Sequence, residues 1–218
     1  MVLLYPSLQQ FIENVNKETS HLQPDRIRKL DTLARCIKST LKLHDKAKIV
    51  YVCTHNSRRS QIAQALTEAI AGYYGLNNSM LEVYSGGSQV TSIHSNVIKT
   101  LKNIGFRAQK QTNSDNPVYY LEHSINQKGT EFFSKKFDDS KNPKDNYYAI
   151  MTCSHAEQNC PIQVGSIFKV SLPFNDPGEY DNTQKENLAY YNCCVELATE
   201  INYVFAKVLE KTKEEMIA

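Results

Sequence analysis

The sequence lacks tryptophan, any marked excess of charge of one sign and any long hydrophobic run. Its 218 residues include no Trp but 13 Tyr, so the interior must be built from aliphatic side chains with phenols at its edges. The 25 Lys and Arg residues nearly balance 23 Asp and Glu, for a net charge of +2. This balance excludes a protein that binds nucleic acid through bulk charge. Any anion that the protein binds should be small and held locally.

No apolar run approaches the roughly 18 residues needed to span a bilayer, so we expect no membrane association. The first eleven residues carry no Lys or Arg ahead of a short apolar run and do not resemble a secretory signal. We therefore expect a cytoplasmic protein. In that reducing compartment, the six cysteines should be reactive or packed thiols rather than a disulfide framework.

Hydrophobic spacing predicts the fold class. Apolar residues recur every three or four positions in two stretches near the start, which predicts a helical extension over residues 1–46. Over residues 47–218, short apolar runs alternate with helical patterns, which predicts an α/β domain: a four-stranded parallel sheet with helices on both faces. The predicted strands cover residues 48–53, 81–85, 147–152 and 167–172.

One stretch, at about residues 113–146, does not follow this alternation. It is too long to be a structureless loop inside a compact domain. Strand-like segments from Pro117 to Ser124 and from Glu131 to Phe137 flank turn-forming residues, which predicts an inserted β-hairpin. The insert could cover a pocket, extend the sheet or form a dimer contact.

The strongest functional signal is the segment Cys53-Thr-His-Asn-Ser-Arg-Arg-Ser between the first strand and the next helix. A tight loop in this position turns its backbone N–H groups inward and can hold a tetrahedral oxyanion. The same dipoles favour the nucleophilic thiolate of Cys53. Arg59 can donate two hydrogen bonds to the anion, and Ser60 can donate one to the sulfur. Alternatively, Cys53 is an unreactive thiol at the end of a buried strand.

The other loop residues complete the predicted site. Asn56 suits a left-handed backbone position that shapes the loop. Together with Arg59, the predicted anion-binding positions are Thr54, His55, Asn56, Ser57 and Arg58. His55 could also tune a thiolate, together with His155, although exposed histidines in such loops are more often simply solvated.

The loop resembles the phosphate-binding loop of the low-molecular-weight protein tyrosine phosphatase superfamily. The resemblance runs from about Lys48 to about Leu209 and includes Val83-Tyr-Ser-Gly-Gly followed by a helix near His94. It implies a flavodoxin-like sheet with the loop after its first strand. The helical extension and the insert lie outside the superfamily pattern.

The superfamily has two main chemistries, arsenate reduction and phosphate ester hydrolysis. The segment that contains Cys153 and Cys160, seven positions apart, is similar to the redox segment of thioredoxin-coupled arsenate reductases. The resemblance implies that Cys53 attacks arsenate, that Cys153 then attacks Cys53 and releases arsenite, and that Cys160 takes over the disulfide. Thioredoxin or a similar reductant would reduce it. A helix between the pair would have to unwind, since seven helical residues separate Cα atoms by about 10 Å and a disulfide needs about 7 Å. The alternative is that both cysteines only pack.

Asp176-Pro177 stands where the superfamily carries its general acid, which protonates the leaving oxygen. Tyrosine phosphatases of the superfamily usually have two tyrosines next, whereas here Gly178 and Glu179 precede Tyr180. Hydrolysis of phosphotyrosine through a phosphoenzyme on Cys53 is therefore the second hypothesis. A redox-sensing or anion-binding module is the third hypothesis. The combination of Cys53 and Arg59 with Asp176 argues against a protein that only binds.

We expect no metal and no cofactor. Gln64 occupies a position where some reductases use a glutamate in a potassium site. The remaining cysteines are expected to pack: Cys36 on an amphipathic helix, and Cys193 and Cys194 with one in the core and the other partly exposed.

Overall fold

A computed structural model describes residues 2–16, 22–43, 45–76, 78–154 and 165–210. The helices are α1 (Pro6–Val15), α2 (Pro24–Lys42), α3 (Arg59–Tyr73), α4 (Ser95–Asn103) and α5 (Glu186–Leu209), with a short 3-10 helix at Pro177–Tyr180. The strands are β1 (Ala47–Cys53), β2 (Leu81–Gly87), β3 (Arg107–Lys110), β4 (Tyr119–Glu122), β5 (Thr130–Phe132), β6 (Tyr147–Met151) and β7 (Ser166–Ser171). These elements build two sheets.

The main sheet has four parallel strands in the order β2-β1-β6-β7. All of β6 is buried, and so is all of β1 except Lys48. Continuous burial follows from helices on both faces, which is why these strands carry apolar runs instead of alternating residues. The predicted α/β fold with a four-stranded parallel sheet is confirmed. The second strand extends two residues further than predicted, to Gly87.

The two N-terminal helices share the main hydrophobic core. Each begins with a proline in its first turn, a position that requires no backbone donor. Leu8 and Ile12 of α1, and Leu30 and Ile37 of α2, are fully buried in the cluster that also contains the sheet and α5. The helical extension is therefore packed as part of the same core as the parallel sheet.

A smaller antiparallel sheet, in the order β3-β4-β5, is formed around the insert. Strands β4 and β5 correspond to the predicted hairpin. The prediction missed β3, which pairs Arg107 with Glu122 and Lys110 with Tyr119. Strand β3 is short, polar and mostly exposed, so its sequence has neither an apolar run nor a clear alternation. The predicted start of the insert, at about residue 113, therefore falls after the first strand of this sheet.

Helix α5 is enclosed by its neighbours, since it packs against α1, α2, α3 and α4. Both Cys193 and Cys194 are consequently buried. The expectation that one of them would be partly exposed is wrong, because a helix packed on several sides buries side chains that point about 100° apart. Within the described residues, no helix has both the length and the apolar character required to cross a membrane.

Candidate active site

The loop between β1 and α3 surrounds the sulfur of Cys53 with hydrogen-bond donors. Cys53 ends β1 and is 5% exposed. The backbone N–H of Asn56 donates to its Sγ over 3.1 Å, and Ser60 Oγ lies 3.0 Å from the same sulfur. Because Ser60 Oγ accepts from Asn56 Nδ2, its own proton is available to the sulfur. Both contacts favour a negatively charged sulfur.

Asn56 determines the shape of the loop. Its φ of 47° lies in the left-handed region that its residue type tolerates. Gln61 on α3 donates through Nε2 to both the backbone oxygen and the side-chain oxygen of Asn56, at 3.0 and 2.9 Å. The backbone N–H of Lys135 donates to the same side-chain oxygen at 2.9 Å. The loop conformation is therefore stabilised from both α3 and the insert.

Ser134 and Lys135 of the insert contact this loop directly. Ser134 Oγ donates to the backbone oxygen of His55 over 2.9 Å and accepts from the N–H of Thr91 over 3.0 Å. The amide of Asn116 binds both backbone groups of Ser134. The insert therefore supports the loop from behind. The sequence analysis missed Gln61 and Ser134, because contacts between polar residues far apart in the chain leave no periodic signal.

Two glycines at the end of β2 permit this close packing. A Cβ at Gly87 would lie 2.7 Å from both Asn56 N and Thr54 O, and one at Gly86 would lie 2.4 Å from the Cα of Phe137. Gly87 also pairs through its backbone with the insert. Only a residue without a side chain lets the insert and the loop approach the strand here.

We expect Ser134→Ala to weaken the loop. The substitution removes the acceptor of the Thr91 N–H and leaves the His55 carbonyl with only the longer hydrogen bond from Thr91 Oγ1, at 3.3 Å, in a site where the serine is buried. The free energy of unfolding should fall by about 1–3 kcal/mol, and inorganic phosphate should bind more weakly. Urea unfolding and calorimetric titration measure the two effects. Ser140→Ala, an exposed serine of the same insert, is the control. Equal behaviour of the two variants would contradict the supporting role.

Arg59 and Asp176 meet at the mouth of the site. Arg59 donates to the backbone oxygen of Phe174 over 2.9 Å and to Asp176 Oδ2 over 2.5 Å. Asp176 Oδ1 accepts from the N–H of Gly178 over 3.0 Å. The pocket over Cys53 is lined by Cys53, Thr54, His55, Ser57, Arg58, Arg59, Ser88 and Asp176. A nucleophile, a guanidinium and a carboxyl group are thus brought to one pocket, the set that oxyanion chemistry requires.

Arg58 also borders this pocket, but its side chain is bound to other residues of the protein. Its Nε donates to Tyr190 OH over 2.8 Å and its Nη2 donates to Asp181 Oδ2 over 2.6 Å. Ser57 Oγ likewise donates away from the pocket, to the backbone oxygen of Ser92 over 2.6 Å. Of the predicted anion-binding residues, Asn56 and Arg59 also have side-chain donors engaged within the protein, so an anion would have to displace the Arg59 contacts to receive its guanidinium donors. Neither Tyr190 nor Asp181 was predicted from the sequence.

Cys153 lies beside the loop, just beyond the end of β6. Its Sγ is 3.6 Å from the Oγ1 of Thr54, the residue that follows Cys53. Cys153 is 2% exposed and belongs to the same small buried cluster as Cys53 and Met151. The predicted partner Cys160, like His155, lies outside the described residues.

A partly buried acid, Glu68, and a buried base, Lys135, lie near the loop. Burial raises the pKa of Glu68 to about 7, although hydrogen bonds from Gln64 and Thr130 oppose the rise. Burial also lowers the pKa of Lys135 to about 8, against the attraction of Asp139 and Glu68. Gln64 donates to Glu68 at 3.0 Å. Within the described part of the chain, no group of three or more His, Cys, Asp or Glu residues forms a metal-ligand cluster.

The sequence is similar to one known protein family and to several curated proteins. Residues 48–117, which span the loop and its supporting strand, match the family described as low molecular weight phosphotyrosine protein phosphatase. The predicted resemblance is confirmed. The curated relatives include an arsenate reductase of Halalkalibacterium halodurans, 24% identical over 67% of this chain and 86% of its own length. Arsenate reductase 2 of Staphylococcus epidermidis is 26% identical over 61% of this chain and 80% of its own.

Solved structures give similar names. A structure described as an arsenate reductase in the phosphate binding state has a TM-score of 0.49 and 18% identity, covering 74% of this chain and 98% of its own. A low molecular weight protein tyrosine phosphatase from Bacillus subtilis has a TM-score of 0.46 and 18% identity, covering 74% and 96%. The family match and the curated relatives all carry the names of enzymes, so the prediction of an enzyme is confirmed at that level.

Proposed function

We propose that the chain is a cytoplasmic arsenate reductase that uses Cys53, Cys153 and Cys160 in succession. The observation that supports this function best is the contact between Cys153 and Thr54 in the buried cluster that also holds Cys53. A second thiol beside the nucleophile is what a reductase needs and a hydrolase does not. The curated relatives named arsenate reductase support the same choice.

In the first step, the thiolate of Cys53 attacks the arsenic of arsenate, held by the loop N–H groups and Arg59. A sulfur–arsenic bond forms, and one oxygen leaves as water after accepting protons, one of them from Asp176. The position of Asp176 favours this role, because its carboxyl group lines the pocket over Cys53.

In the second step, the thiolate of Cys153 attacks the sulfur of Cys53. A disulfide forms, and the electron pair of the sulfur–arsenic bond passes to arsenic, which leaves as arsenite. Cys160 then attacks the sulfur of Cys153 and releases Cys53 as a thiolate. A dithiol reductant of the thioredoxin class supplies two electrons to the remaining disulfide and becomes oxidised. No cofactor or metal takes part.

Substitutions of the two later cysteines test this assignment. We expect Cys160→Ser to lose thioredoxin-dependent multiple turnover of arsenate while retaining hydrolysis of an aryl phosphate, which needs only Cys53. Cys153→Ser should release no arsenite. Cys36→Ser is the control, because that thiol lies on α2 away from the loop. Arsenite release is measured together with phenol release on the same samples. Multiple turnover that survives in Cys160→Ser would contradict the assignment.

Hydrolysis of phosphotyrosine is the second candidate. It is favoured by the family match over residues 48–117 and by the position of Asp176 beside Arg59. The adjacent tyrosines usual in tyrosine phosphatases are missing, and the guanidinium of Arg58 packs against Gly178 instead. Hydrolysis of phosphotyrosine without any arsenite production would select this function over reduction.

A further inference from the structure

We propose that Asp181 is a positioning residue for Asp176, and that it acts by holding Arg58 against the loop that carries this acid. The inference rests on the proposed function in one respect, namely that Asp176 protonates the leaving oxygen. Asp181, Arg58 and Tyr190 are called the clamp below. The clamp joins the loop before α3, the end of the 3-10 helix, and α5.

The three side chains of the clamp are hydrogen-bonded to one another, and His94 Nδ1 lies 3.0 Å from Tyr190 OH. Asp181 accepts from Arg58 Nη2 at its Oδ2 over 2.6 Å and from Tyr190 OH at its Oδ1 over 2.8 Å. Arg58 Nε donates to Tyr190 OH over 2.8 Å. The residues are separated by 123, 9 and 132 positions in the chain. Tyr190 is fully buried, so one corner of the set is fixed by the core.

Two ionisable partners of the clamp, Asp181 and Arg58, have pKa values shifted towards their charged forms. Burial opposes ionisation of Asp181, but the hydrogen bonds from Tyr190 and Arg58 outweigh it and lower the pKa of the carboxyl group. The same partners raise the pKa of Arg58 against the effect of burial. His94 stacks on Tyr190, with ring centroids 5.7 Å apart, and burial lowers its pKa. The clamp therefore contains a charge-assisted ion pair.

The clamp reaches Asp176 through Gly178. A Cβ at Gly178 would lie 2.8 Å from Cζ and Nε of Arg58, so the guanidinium packs directly on this residue. The N–H of Gly178 donates to Asp176 Oδ1, while Asp176 Oδ2 accepts from Arg59. Displacing Arg58 would free the peptide that orients the acid. The packing also accounts for glycine at a position where tyrosine phosphatases usually have a tyrosine.

In this arrangement, Asp181 positions the acid Asp176 but takes no part in binding the anion. Asp181 does not line the pocket over Cys53, and Arg58 directs two of its donor nitrogens to the clamp. Loss of Asp181 should therefore act on proton donation more than on anion affinity. A phenol of high pKa needs that proton when it leaves, whereas nitrophenolate leaves readily without it. The defect should depend on the leaving group.

Asp181→Asn tests the proposal through hydrolysis of phenyl phosphate and 4-nitrophenyl phosphate. We expect kcat/KM for phenyl phosphate, which reports formation of the phosphoenzyme, to fall by about 10-fold or more, and kcat/KM for the nitrophenyl ester and the inhibition constant of inorganic phosphate to change by less than about 3-fold. Asp181→Glu should restore part of the loss. The double variant with Asp176→Asn should be no slower than Asp176→Asn alone, because both changes remove the same proton.

The matched control is Asp31→Asn. Asp31 also accepts a hydrogen bond from a tyrosine of α5, Tyr203, over 2.8 Å, but it lies on α2 outside the pocket. It should leave the ratio of the two kcat/KM values unchanged. Equal losses with both esters in Asp181→Asn, or losses that add to those of Asp176→Asn, would overturn the proposal.

Hydrogen exchange gives a readout that does not depend on activity. In Asp181→Asn, the backbone N–H of Gly178 should exchange about 10-fold faster or more, since the peptide loses its cover. Exchange in β1 should stay the same, as should exchange at both places in Asp31→Asn. Unchanged exchange at Gly178 would overturn the clamp. If the natural chain hydrolyses neither ester, the shared Cys53 chemistry fails, and the exchange result alone decides whether the clamp exists.

Discussion

Cys53→Ser is expected to abolish arsenate reduction and aryl phosphate hydrolysis together, by about 10⁴-fold or more. The serine oxygen can occupy the same place between Asn56 N and Ser60 Oγ, but a hydroxyl does not ionise there as a thiol does. Both proposed reactions begin with the same attack, so both should fail. Initial rates of arsenite and phenol release, compared with those of Cys36→Ser, measure the loss.

Anion binding should survive this substitution. The inward N–H groups and Arg59 are unchanged, so inorganic phosphate should bind to Cys53→Ser within about 3-fold of its original affinity. Calorimetric titration with phosphate measures this. If the variant retained either activity, the shared nucleophile would be wrong. If it also lost phosphate binding, the defect would lie in the loop conformation and not in the chemistry.

Gly87→Ala is expected to displace the loop that follows Cys53, because Gly87 of β2 packs against the backbone of that loop. The added Cβ would lie 2.7 Å from Asn56 N and Thr54 O, both backbone atoms that cannot turn aside. The strand or the loop must move, and this should lower the free energy of unfolding by about 1–3 kcal/mol. Because Asn56 N donates to the Cys53 sulfur, activity and phosphate affinity should both fall by about 10-fold or more.

Gly72→Ala is the matched control for this variant. Gly72 lies within α3, where the three nearest heavy atoms that a Cβ would meet all belong to the Val2 side chain, at 3.1–3.4 Å, and none is a backbone atom. Alanine is favoured over glycine inside a helix, so this change should be neutral or slightly stabilising. Thermal unfolding and phosphate titration of both variants make the comparison. Equal phosphate affinity in the two would show that Gly87 does not limit the position of the loop.

The parts of the site that the sequence predicted are those encoded locally. The strand, the loop and the start of α3 follow one another within about twenty residues, so periodicity and residue type were sufficient. Asn56 has the left-handed backbone expected of its residue type. Strand β3 has no such signal, because an exposed polar edge strand does not need apolar residues.

The residues that support the site are encoded at long range. Ser134 meets His55 across 79 positions, and Arg58 meets Tyr190 across 132. Hydrogen bonds between single polar side chains leave no pattern in one sequence. The sequence shows Gly178 where tyrosine phosphatases of the superfamily usually have a tyrosine. The structural reason is the Arg58 guanidinium, which packs on this glycine. The departure from the family pattern therefore follows from a contact between residues 120 positions apart in the chain, which no local pattern encodes.

The most direct test of the reductase cascade is a single turnover of Cys160→Ser with arsenate, quenched by alkylation and analysed by mass spectrometry of its peptides. Without Cys160, the disulfide between Cys53 and Cys153 cannot be passed on and should accumulate. We predict one arsenite released per chain and one disulfide linking the peptides that contain these two residues. Release of no arsenite, or a chain in which Cys153 is fully alkylated after turnover, would contradict the account.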